Sequence, residues 1–113
     1  MSRSIMQDRK ECYLCRKKIE DEGIIGRPRD IPLEEHHVMH GTANRKLAEH
    51  YGLKVWLCAE HHRTGKKAVH NCRETDLILI CAGQRRFEEI HSHEEWMSVF
   101  MKNYGRTAGI QLA

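Results

Sequence analysis

The chain has 113 residues, 40% of them hydrophobic, and its 19 Lys+Arg against 16 Asp+Glu leave a formal charge of +3. That length suits one domain, no run approaches the roughly 18 to 20 apolar residues of a membrane span, and so small a charge does not by itself show a nucleic-acid partner. The N-terminus Met1-Ser2-Arg3-Ser4-Ile5-Met6 lacks the apolar stretch of a signal peptide, so the expected compartment is the cytoplasm, where thiols stay reduced.

In chain order, residues 1–10 are polar and read as a loose arm. Glu11 to Cys15 reads as a short strand turning at a Cys-x-x-Cys knuckle. From Arg16 to Pro32 the chain is charged and punctuated by Gly23, Gly26 and Pro28, which predicts mostly loop. Leu33 to Met39 reads as a short strand. Thr42 is placed to cap a helix over Ala43 to Tyr51, with Gly52 as its stop. Leu53 to Leu57 alternates and is rich in β-formers, a strand signal. Cys58 then opens a helical turn, Ala59 to Arg63, interrupted by Gly65. Asn71 to Glu74 resembles an N-capping box and Ser92 to Glu95 matches one. Between them Leu77, Ile78, Ile80, Cys81, Phe87 and Ile90 can line one helical face. Trp96, Met97, Val99 and Phe100 suggest a second helix ending near Tyr104-Gly105. The expected fold is α+β in a single domain, with a metal-bearing core over 11–71 and two helices of a tail over 72–105 packed on it.

The cysteines and histidines carry the chemistry. Five cysteines in a reducing compartment argue for metal ligation by a subset rather than for a disulfide framework. Zinc takes four ligands at tetrahedral corners, and Cys12-x-x-Cys15 with Cys58-x-x-His61 supplies two half-sites of matching spacing. Such a staple would strengthen a chain whose first seventy residues hold no dense apolar run. His62 follows His61 directly. Because neighbours on a helix diverge by about 100°, the two imidazoles point to different ions. His36-His37 sit on a predicted strand, where neighbours face opposite sides. One of that pair can therefore ligate a second ion while the other acts as a base near neutral pH.

The combination Leu33-Glu34-Glu35-His36-His37-Val38 with Leu57-Cys58-Ala59-Glu60-His61-His62, preceded by Cys12-x-x-Cys15, resembles the HNH endonucleases of the ββα-metal superfamily. Asn44-Arg45-Lys46, Tyr51-Gly52-Leu53 and Val69-His70-Asn71 extend the likeness to short HNH-type proteins of phages and prophages and to phage recombination-enhancement nucleases. The resemblance implies a small zinc-stapled ββα-metal core in a phage or prophage protein of a bacterial cell, cutting DNA phosphodiester bonds. It makes His37 the general base and His36 and His62 ligands of the catalytic metal, with His70 the best candidate for a further ligand. The family's loop-steadying Asn falls to Asn44, with Asn71 as the other option. Cys12, Cys15, Cys58 and His61 would hold structural zinc, and the catalytic ion would be Mg²⁺, Mn²⁺, Ni²⁺ or Zn²⁺. Arg45, Lys46, Arg63, Lys66 and Lys67 flank the site as phosphate contacts. A non-catalytic zinc-finger-like DNA-binding or adaptor module is the alternative, and cleavage of RNA stays open. His40, His50, His91 and His93 read as ordinary polar residues, Cys72 as a minor alternative ligand, and Cys81, Trp56 and Trp96 as packing residues.

Overall fold

The structure, a computed structural model, describes residues 3–22 and 32–104, with the side chains of 19–22 left aside. It is an α+β fold of two antiparallel strands and four α-helices among the described residues: α1 (Tyr13–Glu22), β1 (Leu33–His37), α2 (Thr42–Tyr51), β2 (Lys54–Cys58), α3 (Arg73–Ile90) and α4 (His93–Phe100), with a short π-turn (Glu60–Thr64) after β2. No described helix is long and apolar enough to cross a membrane.

The hairpin-like pair β1–β2 is the frame of the site. Its register sets Leu33 opposite Cys58, His36 opposite Val55 and His37 opposite Lys54. Side chains alternate along each strand, so Glu34 and His36 share one face while Glu35 and His37 share the other with Lys54 and Trp56. Instead of a tight turn, α2 connects the strands. Gly52 ends that helix in the left-handed region, φ 75°. Leu53 N–H then donates to Ala48 O at 2.8 Å, a Schellman closure that turns the chain straight into β2.

The core joins both strands to the C-terminal helices. Leu53, Val55 and Leu57 of the β2 segment, Val38, Leu79 and Ile80, Phe87, Trp96 and Phe100 form one buried cluster. Phe87 stands edge-on to Trp96 at a centroid distance of 5.4 Å, an arrangement that aromatic quadrupoles favour. Ser92 caps α4 by accepting from Glu95 N–H at 3.0 Å, as its capping box predicts.

Several expected boundaries shift. The Cys-x-x-Cys segment is the first turn of a helix rather than a strand knuckle, and 16–22 continue that helix where loop was expected; 23–31 lie outside the described residues. Burial alternates over Cys12 to Cys15, with Cys12 and Leu14 in the core, a pattern that a short strand would also give. Asn71 does not cap α3, whose N-cap position is Cys72. Ile90 of the predicted apolar face is about half exposed, since α3 ends there. Residues 3–11 are irregular but tied down: Ile5 N–H donates to Gly52 O, Ser4 Oγ–H to Lys54 O, and Trp56 N–H to Gln7 Oε1. This arm lies beside β2 on the Trp56 side, which leaves Trp56 only half-buried, with Lys10 Nζ 4.4 Å from its ring centroid.

Candidate metal centres

Four predicted ligands converge from three elements. Cys12 and Cys15 come from the start of α1, Cys58 from the end of β2 and His61 from the π-turn. Cys12 Sγ lies 3.7 Å and Cys15 Sγ 3.9 Å from Cys58 Sγ, while His61 Nδ1 is 3.3–3.4 Å from all three sulfurs. A disulfide needs about 2.05 Å between sulfurs, so these thiols are not oxidised to one another. Around an ion with metal–sulfur bonds of about 2.3 Å and metal–nitrogen bonds of about 2.0 Å, tetrahedral edges come to about 3.8 and about 3.5 Å. The spacings therefore match a four-coordinate ion, and the cluster can hold a metal such as zinc. Burial, with Cys12 and Cys58 close by, pushes the Cys15 thiol up to about 12, and burial raises Cys58 as well.

The π-turn also contributes to a second cluster, of three histidines. Gly65 N–H donates to Glu60 O, and Val69 and His70 N–H donate to the carbonyls of His61 and His62, so the following loop doubles back along the turn. His61 thereby faces the four-ligand cluster and His62 the other way. His62 Nε2 lies 3.0 Å from His70 Nε2, and one ligand atom each of His36, His62 and His70 lie within 4.8 Å of one another. Glu34 Oε1 accepts from His62 Nδ1–H at 2.7 Å, which leaves the Nε2 lone pair turned toward His70.

His36 makes the strongest case for an ion. Its Nε2 is the one buried side-chain nitrogen or oxygen without a hydrogen-bond partner among the described residues. Such orphans are costly and rare unless a ligand satisfies them. Burial first, and then the neighbouring His62, His70, His40 and His37, push its pKa down to about 3. The ring is thus neutral, with a lone pair available, as a ligand must be.

His37 faces the opposite side of β1 and stands in a different network. Its Nε2 is 2.8 Å from Glu49 Oε1 on α2. Lys54 Nζ lies 2.7 Å from Glu49 Oε2 and 3.5 Å from Glu35 Oε2. Glu35, His37 and Glu49 are spaced to hold an ion too, but the Lys54 ammonium already supplies the positive charge there. At the end of the strand both faces open into one cleft of about 960 Å³, lined by His36, His37, His62 and His70 together with Arg45, Lys46 and Glu49 of α2.

Other expected residues fare unequally. Arg45 and Lys46 line the cleft, whereas Asn44 does not. Asn71 does the bracing of a loop, donating from Nδ2 to Arg63 O at 2.7 Å and Gly65 O at 2.9 Å, but the loop is the one leading to His70. Arg63 is exposed and engaged by both oxygens of Glu34, whose carboxyl it and His62 hold down to about 2. Lys66 and Lys67 are exposed on the same loop, and Cys72 belongs to none of the three groups spaced to hold an ion. His40, expected to be an ordinary loop residue, lines the cleft with its Nε2 2.6 Å from Oδ1 of buried Asp76. Glu49 and Asp76 had no signal in the sequence, because a helical carboxylate spaced by tertiary folding looks like any solvated one.

A scan against protein-family models, a search of curated proteins and a search of solved structures each returned no match.

Proposed function

We propose that the protein is a metal-dependent endonuclease that hydrolyses DNA phosphodiester bonds, built on a zinc-stapled ββα-metal core. The observation that carries this reading is the orphaned His36 Nε2, buried beside His62 and His70 in the same cleft as His37. In this reading Cys12, Cys15, Cys58 and His61 hold zinc structurally. His36, His62 and His70 hold the second ion, an imidazole set suited to Zn²⁺, Ni²⁺ or Mn²⁺. An ion there supplies Lewis-acid stabilisation of charge on the phosphate and the leaving oxygen. His37 takes the proton of the attacking water, and Arg45 and Lys46 hold the flanking backbone phosphates at the cleft. Glu34 keeps His62 in the tautomer that presents Nε2.

The test is nicking of supercoiled plasmid across divalent metals. His37→Ala should lower the rate by about 10²- to 10⁴-fold, the usual worth of a general base, with DNA binding and circular dichroism unchanged. Undiminished nicking by that variant would remove the base assignment. Metal-loaded wild type that binds DNA without cutting it would point instead to a binding module.

A further inference from the structure

Glu49 of α2 meets His37 on the far face of β1. Resting on the reading of His37 as the base, we propose that Glu49 is a positioning residue that sets the tautomer and orientation of His37, with Lys54 as its brace.

A carboxylate accepts hydrogen bonds and donates none, so the 2.8 Å contact from His37 Nε2 to Glu49 Oε1 requires the proton on Nε2. Nδ1 is then the only proton acceptor of the neutral ring. The reverse tautomer would set the Nε2 lone pair against carboxylate oxygen and lose the bond. Glu49 is itself held. Its second oxygen accepts from Lys54 Nζ at 2.7 Å, and the Lys54 side chain is only 6% exposed. Burial alone would lower the Lys54 pKa, but its bonds to and charges from Glu49 and Glu35 outweigh that and raise it, so the ammonium persists. Lys54 is directly opposite His37 in the strand register, and Glu49 lies one turn before the Gly52 closure that joins α2 to β2. One compact unit therefore carries base, carboxylate and brace. In the step it serves, water gives a proton to His37 Nδ1 as its oxygen bonds to phosphorus. The bond from phosphorus to the leaving oxygen breaks, and that oxygen takes a proton from solvent.

The test uses the intact 113-residue chain, loaded with zinc. Long-range ¹H–¹⁵N spectra of the imidazoles read the tautomer directly, His37 being assigned by its absence from the His37→Ala spectrum. The expected wild-type pattern is a protonated Nε2 and an unprotonated Nδ1. Glu49→Ala should mix the tautomers and lower kcat by about 10- to 100-fold without raising KM. Glu49→Gln, which keeps an acceptor oxygen, should recover most of that loss. A wild-type His37 protonated on Nδ1, or a folded Glu49→Ala with unchanged tautomer and kcat, would overturn the proposal. Should Glu49→Ala fail to fold, the wild-type tautomer and the Glu49→Gln kinetics still decide it. Failure of the base reading is separate: it shows as retained nicking by His37→Ala, whatever the tautomer.

Discussion

At the scale of the residue, His36 and His37 illustrate how a strand divides two adjacent and chemically identical side chains. Alternation sends His36 into a buried face shared with Glu34 and His37 onto a face shared with Glu35 and Lys54. His36 is 4% exposed and unpartnered at Nε2, while His37 is bound to a carboxylate. Burial has a consequence for pH. An unfolded imidazole binds a proton below about 6.5, but folded His36 stays neutral down to about 3. Between those values the unfolded chain binds more protons, so this contribution to stability is complete above the unfolded value and is lost as pH falls toward 3. A bound ion leaves the sign unchanged, because it competes with protons for the same lone pair. The melting temperature should therefore drop more steeply from pH 7 to pH 5 in wild type than in His36→Leu. Parallel pH profiles would show that His36 carries none of the acid sensitivity.

At the scale of the element, the π-turn and the end of α2 do most to place the ligands. The π-turn carries two consecutive histidines that join two different side-chain clusters, and π geometry recurs at functional sites. Gly52 closes α2 at φ 75°, and a Cβ built there would come 2.2 Å from Arg3 O. Both the left-handed backbone and the seated arm thus exclude a side chain. Gly52→Ala should destabilise by at least about 1–2 kcal/mol, the cost of the left-handed conformation for an L-residue. Urea denaturation reads this as a lower midpoint, and an unchanged midpoint would show that the arm yields freely. Because Gly52 follows the helix that carries Glu49, the same variant should also disturb the His37 network.

At the scale of the whole molecule, the cysteine-histidine cluster and the three-histidine cluster are mechanically joined. Cys58 ends the strand paired with β1, and His61 and His62 are neighbours on one turn, so the four-ligand cluster anchors the frame that aims His62 at His36. Burial raises the Cys15 and Cys58 thiols and lowers the partly buried His61, so a metal ion binding all four groups would add to the folding free energy. Cys12→Ser and Cys58→Ser should each release about one zinc per chain, as loss of a tetrahedral ligand predicts, with a marked fall in melting temperature. Metal analysis and thermal melts check this together. A variant that stays folded with its zinc content intact would refute the cluster as a structural zinc site.

Much of this was legible before any fold was drawn, and the exceptions share a cause. The spacing of Cys12-x-x-Cys15 and Cys58-x-x-His61 named all four members of one cluster, since local turn geometry alone puts the members of each half-site side by side. The adjacency of His36 with His37 and of His61 with His62 announced a division of labour, because helix and strand periodicities are properties of the backbone. Capping chemistry located the start of α4 and the end of α2. What the chain's order could not disclose were relations between elements. The helical setting of Cys12 and Cys15, the docking of residues 3–11 on β2, and the burial of Lys54 arise from packing across long sequence separations. So do the pairing of Glu49 with His37, of Glu34 with His62 and of Asp76 with His40. Residue types and spacings by themselves determined which atoms could bind an ion. Only the tertiary structure decided which imidazole lost its water without gaining a hydrogen bond, and which gained a carboxylate, because desolvation and charge pairing depend on neighbours brought together in space.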